Sequence, residues 1–181
     1  MSTELPSKSM ALRSAARVAI VAATYNEKYT SALLENCLTE LRESDDRVTV
    51  DVVRVPGAFE VPMMVKHAIV KADVAKRPDV VIALGVILKG STAHADLVGT
   101  AVTNQLLAIS CEEMTPVIHE VLLLDNEQQA FARCIASSLN RGREAARAAM
   151  NMLHLLEDAG ELQSMMRRAS SVSRTASIIM H

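Results

Sequence analysis

A turn in the middle of the chain carries residue types that suit chemistry on a small phosphorylated molecule. A short apolar run precedes it, as in a buried strand, and apolar residues follow it at helical spacing. Backbone N–H groups at a helix start attract anions, and a histidine there can act as a general acid or base. We therefore predict an anion site with a general acid–base group beside it. The residues of this turn are Lys89, Gly90, Ser91, Thr92 and His94, with Ser91 or Thr92 as the expected helix cap.

The same turn is compatible with a simpler role, in which it only caps its helix. Two better-known phosphate motifs are excluded by residue order. A Walker A loop has its lysine after the second glycine, whereas Lys89 precedes Gly90, and the chain contains no G-x-G-x-x-G. His94 and Asp96 could form half of a metal site, but no second His or Cys lies at ligand spacing, so we predict no metal.

Composition limits the classes of partner. The chain has 181 residues, of which 50% are hydrophobic, and a formal net charge of -2. We therefore expect one domain with a large core, and neither nucleic acid nor a membrane as partner. No apolar run approaches the ~20 residues that span a bilayer. Cys37, Cys111 and Cys134 lie in helical patterns and are interpreted as buried free thiols of a cytoplasmic protein.

Strand and helix patterns alternate four times along the chain, which predicts an α/β domain. We expect three α/β/α layers with a four-stranded parallel sheet covered on both faces, spanning residues 17–158. Residues 1–16 are expected to form a flexible N-terminal arm that docks on a neighbour, although their Arg and Ser content is also compatible with a short transit peptide. Residues 159–181 are expected to form a mobile C-terminal tail. The first helix is expected to be capped by Thr30 or Ser31, and the last to end near Asp158.

Polar and aromatic residues follow the predicted strands, where ligands bind in α/β folds. They supply an aromatic surface, groups for hydroxyls, an anion site and a general acid–base group. The physical inference is a site for a flat, polyhydroxylated molecule together with a phosphate ester. The segments concerned are Tyr25–Asn26, Pro56–Glu60, Lys89–His94 and, one helix further on, Arg133.

Several motifs, in order, resemble the lumazine synthase family, whose members act at the penultimate step of riboflavin synthesis. The two longest are Val55–Pro62 and Gly85–His94. Shorter matches follow at the family's spacing, so that the resemblance covers about residues 17–157. These shorter segments are Thr24–Asn26, Pro116–Ile118, Glu127–Arg133 and Asn140–Ala146.

The resemblance implies a flavodoxin-like domain and a transferase. The reaction would condense 5-amino-6-(D-ribitylamino)uracil with 3,4-dihydroxy-2-butanone 4-phosphate and release phosphate and water. No metal or organic cofactor is implied, because orientation and proton transfer suffice. The resemblance also implies a homo-oligomer, either a pentamer or a multiple of it, with each active site shared between adjacent subunits. Riboflavin synthase is the further protein partner that it suggests.

The resemblance assigns the catalytic and phosphate-binding roles to the central turn and one later arginine. His94 matches the histidine that shuttles protons near the leaving phosphate. Ser91, Thr92 and Arg133 match the phosphate site, and Lys89 and Gly90 belong to the same expected site.

Roles toward the pyrimidine and the ribityl chain follow in the same way. Tyr25 matches a stacking aromatic that is usually Phe or Trp, and ring stacking survives the change. Asn26 and Glu60 match groups that bind the ribityl hydroxyls. The further expected contacts are Ala58, Phe59, Val86, Ile87 and Leu88, the last three through backbone groups.

Besides Tyr25, three positions depart from the family's usual pattern. Arg141 stands where many members have Lys, which keeps the charge but changes the donor geometry. His119 and Glu120 stand where an aromatic and a glycine are common. A histidine inside an apolar strand is as typical of a structural role as of a binding role. Whether His119 and Arg141 contact the substrate is therefore left open.

Two functions other than catalysis are also compatible with this fold. One is a lumazine- or flavin-binding protein, and the other is a structural shell protein. The presence of both His94 and Arg133 argues against a mere binder, which does not need both. Taken singly, Glu60 is compatible with a solvated carboxylate at a helix start, and Arg133 with a surface residue.

Overall fold

The sheet has four parallel strands, as predicted. The computed structural model describes residues 5–8, 11–73 and 76–179, with side chains described only as far as residue 160. The strands are β1 (Ala16–Ala23), β2 (Val48–Val55), β3 (Val80–Leu88) and β4 (Val117–Leu124), in the order β2-β1-β3-β4. The central strands β1 and β3 are buried on both faces, which explains their continuous apolar sequences.

Helices cover both faces of the sheet and complete the three predicted layers. The helices are α1 (Glu27–Ser44), α2 (Val61–Val70), α3 (His94–Glu112), α4 (Glu127–Ala130) and α5 (Arg141–Ile179). A 3-10 turn (Ala58–Glu60) precedes α2, and a π-helical turn (Phe131–Ile135) continues α4. The core between the sheet, α1 and α5 contains Ile20, and the core between the sheet, α2 and α3 contains Val21. Successive residues of β1 thus point to opposite layers.

The N-terminal segment is docked on its own chain. Leu12 is buried, and its N–H donates to Asp45 Oδ2 at 2.8 Å. The N–H groups of Arg13 and Ser14 donate to the Glu157 carboxylate at 3.1 and 3.0 Å. Residues 12–14 thus pack on α1 and α5 of their own chain, and the expected docking of the arm on a neighbour stays a prediction. Residues 1–4 and 9–10 of that expected arm lie outside the described residues.

Two helix ends differ from the sequence-based prediction. α1 begins at Glu27 rather than near Thr30, because Asn26 adopts a left-handed backbone (φ 58°) and its carbonyl accepts the N–H groups of Tyr29 and Thr30. α5 continues to Ile179, well beyond Asp158. Apolar periodicity gave no signal for this extension, since no apolar face is evident there in the sequence. The mobility expected for residues 159–181 stays a prediction, and residues 180–181 lie outside the described residues.

Two of the three cysteines are buried, as predicted, whereas Cys111 is exposed on α3. Burial raises the pKa of the Cys37 and Cys134 thiols to about 12, so both stay protonated. In the described part of the chain, no helix is long and apolar enough to cross a membrane.

Candidate active site

The loops after β1 and β2 are joined by hydrogen bonds beneath an exposed aromatic ring. The Tyr25 N–H donates to the Pro56 carbonyl at 2.9 Å, and the Thr24 hydroxyl donates to the same oxygen at 2.9 Å. A Cβ at Gly57 would lie 3.1 Å from Tyr25 Cδ2, so the absence of a side chain lets the ring lie on this loop. Tyr25 is nevertheless 70% exposed. The loop pair thus presents an aromatic surface, as stacking requires.

The 3-10 turn after β2 carries the expected carboxylate and aromatic. Glu60 Oε2 accepts the Gly57 N–H at 2.9 Å, which holds this exposed side chain over its own loop. Ala58 is partly buried, and Phe59 is 65% exposed. The turn packs against α3, which brings it to the helix that begins with His94. Phe59 also lines an apolar groove of about 600 Å³ between α2 and α3.

The end of β3 is joined to the same group of loops through Asn26. Its side-chain amide Nδ2 donates to the Val86 carbonyl at 2.8 Å. Val86 is buried, and Ile87 and Leu88 are partly buried at the carboxyl end of the strand. The structure therefore brings Tyr25, Asn26, the 58–60 turn and β3 together at one edge of the sheet. Asn26 makes its link to β3 through the side-chain amide, the group that we expected to bind the ribityl hydroxyls.

The central turn ends at an exposed histidine that is the first residue of α3. The N-cap is Ala93, with no side-chain cap, so the predicted capping by Ser91 or Thr92 is wrong. The Thr92 hydroxyl lies 3.5 Å from the His94 backbone nitrogen, at the outer limit of a hydrogen bond. The first N–H groups of an α-helix have no acceptor within the helix. Because Ser91 and Thr92 are also exposed, this turn offers accessible donors to an anion.

Gly90 is not needed for the bend of the turn, and Lys89 is not a free cation. No glycine in the described chain has a positive φ, and a Cβ at Gly90 would meet open space, so the bend does not depend on glycine here. The Lys89 ammonium pairs with Asp96 Oδ1 at 3.4 Å and Asp125 Oδ1 at 3.2 Å. These pairs raise the pKa of Lys89. Among the described residues, no group of three or more His, Cys, Asp or Glu side chains forms a possible metal site.

Arg133 lies in the opposite layer from His94. It belongs to the π-helical turn, which packs against α1, whereas α3 packs with α2 on the other face of the sheet. Asn126 Oδ1 accepts the Gln129 N–H at 2.9 Å and so caps α4, the helix that leads into this turn. Within the described chain, the partly buried Arg133 guanidinium has no ion-pair or hydrogen-bond partner. A single chain therefore does not pack the two expected phosphate-site groups together.

His119 is held by contacts within its own chain. Its Nε2 lies 2.8 Å from the Thr103 hydroxyl, which donates to the Gly99 carbonyl at 2.8 Å. Its Nδ1 accepts the Val121 N–H at 3.4 Å. These contacts fit a neutral ring with its proton on Nε2, and burial lowers its pKa. Both ring nitrogens thus have structural partners, which supports the structural interpretation.

Arg141, Glu120 and Glu144 form a cluster of ionisable side chains, of which Arg141 and Glu120 are buried. The Arg141 guanidinium pairs with Glu144 Oε1 at 2.5 Å, and its side chain is 9% exposed. Burial raises the pKa of Glu120 to about 8, although the nearby Arg141 opposes this shift. Glu120 therefore carries a proton at neutral pH. The sequence analysis noted Glu120 as unusual but assigned it no role.

The sequence analysis also missed the partners of Lys89. The sheet register pairs Leu88 of β3 with Leu124 of β4, so the next residues, Lys89 and Asp125, lie side by side. The sequence does show a lysine directly after one apolar strand and an aspartate directly after another. These opposite charges predict an ion pair only when β3 and β4 are known to be neighbours.

Comparison with known proteins decides the family. The model of the 6,7-dimethyl-8-ribityllumazine synthase family matches residues 15–157. This chain belongs to that family. A relative of the same name from Nitrobacter hamburgensis is 37% identical over 143 residues, which are 78% of this chain and 86% of the relative.

Other relatives agree with this assignment to the lumazine synthase family. One from Rhodopseudomonas palustris, named 6,7-dimethyl-8-ribityllumazine synthase 1, is 38% identical over 78% of this chain and 86% of its own. A 6,7-dimethyl-8-ribityllumazine synthase from Clostridium kluyveri is 38% identical over 77% of this chain and 88% of its own. The predicted family and enzyme class, a transferase of riboflavin biosynthesis, are confirmed.

Proposed function

We propose that this lumazine synthase family member condenses 5-amino-6-(D-ribitylamino)uracil with 3,4-dihydroxy-2-butanone 4-phosphate. The product is 6,7-dimethyl-8-ribityllumazine, with release of phosphate and water. The observation that carries the proposal is the meeting of three loops at one sheet edge. They are held by the bonds from Tyr25 to Pro56 and from Asn26 to Val86, and the turn with Glu60 packs against the helix of His94.

The pyrimidine and its ribityl chain are assigned to these loops. The exposed Tyr25 ring supplies a stacking face, and Phe59 of the 58–60 turn is a second exposed aromatic. Glu60 keeps one carboxylate oxygen on Gly57, which orients the side chain toward hydroxyl donors. The end of β3 supplies backbone groups. Asn26 contributes mainly by holding β3 in place, since its amide nitrogen is bonded to Val86.

The chemistry needs positioned groups and proton transfers. The 5-amino group attacks the ketone, and loss of water leaves an imine. Removal of a carbon-bound proton then expels phosphate, and the ribitylamino nitrogen closes the ring with loss of a second water. His94, exposed at the start of α3, is the proposed proton shuttle for these steps. The remaining contribution is orientation of two reactants that would otherwise meet by diffusion.

The phosphate group is assigned to the start of α3 and to an arginine of a neighbouring subunit. Exposed N–H groups, Ser91 and Thr92 suit a phosphate dianion. Arg133, which has no partner among the described residues, adds a bidentate cation, but it lies in the opposite layer of its own chain. We therefore propose a ring, a pentamer or a multiple of it, in which His94 of one subunit meets Arg133 of the next. Head-to-tail contacts of this kind close into rings.

An absorbance assay tests the reaction. Mixing both substrates with the protein is expected to form the lumazine chromophore faster than the uncatalysed control. A lumazine- or flavin-binding protein would bind the product without accelerating its formation, and a shell protein would do neither. Either result would overturn the proposed reaction while leaving the family assignment intact.

A mixing experiment tests the shared site. His94→Ala and Arg133→Ala chains are denatured together in equal amounts and reassembled at random. About one interface in four then pairs two intact faces, so mixed rings should regain about a quarter of wild-type activity. Each variant refolded alone serves as the control. Verified mixed rings that show only the average of the two variants would place both residues in one subunit's site, or would exclude Arg133 from it.

A further inference from the structure

The Lys89 side chain connects three segments at the carboxyl end of the sheet. Lys89 directly follows β3, Asp96 lies in the first turn of α3, and Asp125 directly follows β4. Its ammonium lies 3.4 Å from Asp96 Oδ1 and 3.2 Å from Asp125 Oδ1. The Lys89 backbone N–H donates to the Leu124 carbonyl at 2.9 Å, so main chain and side chain both bridge β3 and β4.

Asp125 passes this connection on to α4. Its Oδ2 accepts the Gln129 Nε2–H at 3.0 Å, and the Gln129 Oε1 accepts the Asp125 N–H at 3.0 Å. Gln129 Nε2 and Lys89 also hold the pKa of Asp125 below its usual value. Gln129 lies four residues before Arg133 on the same helical segment. A continuous set of polar contacts therefore runs from the first turn of α3, two residues after His94, to the segment that carries Arg133.

The same contacts make Lys89 a poor phosphate ligand. The lysine contributes one positive charge, whereas Asp96 and Asp125 contribute two negative charges, so the local balance is negative. A phosphate approaching the ammonium would meet both carboxylates. The start of α3 offers donors without this repulsion, and so does Arg133, whose guanidinium has no partner in the described part of the chain. From the sequence alone, Lys89 belongs to the expected phosphate site, because the two carboxylates that pair with it are not evident there.

We propose that Lys89 is a positioning residue, which ties the turn of His94 to the segment of Arg133 and does not itself bind the phosphate. The inference rests on the proposed function. In a ring, these two segments of one chain serve two different active sites, one on each side of the subunit. Lys89 thereby couples neighbouring sites mechanically, through the ends of β3 and β4.

The direction in which Asp125→Asn changes the affinity for phosphate distinguishes the positioning role from direct binding by Lys89. Asp125→Asn removes a carboxylate from beside Lys89 and keeps the size of the side chain. If Lys89 bound phosphate, Asp125→Asn would free the ammonium and strengthen phosphate binding, whereas Lys89→Met would weaken it. If Lys89 positions the two segments, both substitutions weaken phosphate binding. The double variant is then no worse than either single variant, because both remove the same contact.

The experiment measures the affinity of the full-length wild-type protein and its variants for inorganic phosphate by calorimetry, and in parallel the turnover. Lys89→Met and Asp125→Asn are each expected to weaken phosphate binding and slow turnover, up to about fivefold, as for pairs of this exposure. Lys89→Arg, which keeps a cation between both carboxylates, is expected to restore both. Lys66→Met is the matched control, since Lys66 pairs with Glu112 and Glu113 at 3.1 and 3.6 Å but touches neither segment.

The phosphate affinities and turnover of the variants decide whether Lys89 positions the two segments. The positioning role is supported if both single variants lose affinity and turnover and the double variant loses no more than either of them. Opposite signs for Lys89→Met and Asp125→Asn, additive losses, or affinities and turnover equal to wild type overturn it. If the wild type binds phosphate but forms no lumazine, the proposed reaction fails, while the phosphate affinities still decide the role of Lys89. If the wild type does neither, both proposals are overturned.

Discussion

The Asn26 side-chain amide donates to the Val86 carbonyl oxygen at 2.8 Å and ties the loop after β1 to the end of β3. Asn26 makes this bond from a left-handed backbone conformation, with φ 58°. Asparagine tolerates this region better than most residues, and its amide is long enough to reach the neighbouring strand. One residue thus combines an unusual turn with a link between two strands of the site.

Replacement of Asn26 should separate the cost of the turn from the cost of the hydrogen bond. Asn26→Gly removes the bond but suits the left-handed backbone, whereas Asn26→Ala removes the bond and adds steric strain. We expect Asn26→Ala to lower the free energy of unfolding by about 1–2 kcal/mol more than Asn26→Gly does. Denaturant titration at a fixed protein concentration measures the difference. Equal losses would show that the backbone relaxes without strain.

His94→Ala should slow turnover far more than it weakens binding of the pyrimidine. A proton shuttle acts in the transition state, whereas stacking on Tyr25 acts on the bound substrate. General acid–base groups contribute ~10²–10⁴-fold, and we expect the lower end because the reactants also condense unaided. Steady-state kinetics and a binding titration give the two quantities. His67→Ala, at an exposed histidine of α2, is the control, and parallel losses of rate and affinity for His94→Ala would contradict the shuttle role.

Tyr25→Phe should be nearly neutral, and Tyr25→Ala should weaken pyrimidine binding. The ring lies on Gly57 and is largely exposed, so its face is the group on offer. Aromatic stacking contributes about 0.5–1.5 kcal/mol beyond the buried area. A fluorescence or calorimetric titration with the pyrimidine substrate measures the change. A large defect in Tyr25→Phe would instead assign a role to the hydroxyl.

Features that depend on neighbouring residues in the chain could be predicted from the sequence, whereas features that depend on contacts between distant segments could not. The apolar runs of β1 and β3 predict buried parallel strands because both faces of these strands are covered. The order of the strands has no such local signal, and the pairing of Lys89 with Asp125 depends on that order. Likewise, motif spacing indicates both His94 and Arg133, but only the packing of the helices shows that they lie in opposite layers.

Glu120 should make stability fall as pH rises. Its pKa is raised to about 8 in the folded protein, from an ordinary value of 4.5. Between these values the folded state holds a proton that the unfolded state has lost. The free energy of unfolding therefore falls by up to about 1.4 kcal/mol for each unit by which the pH rises. Arg141 and Glu144 of α5, Cys37 of α1 and Cys134 of the π-helical turn are the titratable and charged groups that interact with Glu120.

Glu120→Gln removes this titration and keeps the shape of the side chain. The stability of the variant relative to wild type should therefore increase from pH 5 to pH 8, as measured by denaturant titration at each pH. Glu35→Gln, at an exposed residue of α1, should show no such trend. A constant difference between Glu120→Gln and wild type over this range would mean that Glu120 is ionised in the folded protein.

Two glycines of α5 should respond oppositely to the same substitution. A Cβ at Gly142 would overlap the Leu33 carbonyl oxygen and lie 3.0 Å from its carbon, both of them backbone atoms of α1. Gly142→Ala should therefore cost about 1–3 kcal/mol of stability. Gly160 has open space around it, so Gly160→Ala should stabilise the helix by about 0.5–1 kcal/mol. Thermal unfolding of both variants tests the prediction, and a neutral Gly142→Ala would mean that α1 and α5 can separate.

The hydrogen bond between the Ser14 hydroxyl and Glu157 links residues 143 positions apart. During synthesis at ~5–20 residues per second, Glu157 leaves the ribosome about 7–30 s after Ser14. For that interval β1 can pair with β2 and the Leu12 N–H can donate to Asp45, but the N–H groups of Arg13 and Ser14 lack their acceptor, Glu157. Docking of Arg13 and Ser14 is therefore a late step of folding, because it depends on α5. The segment before β1 completes its packing only after this distant helix has been made.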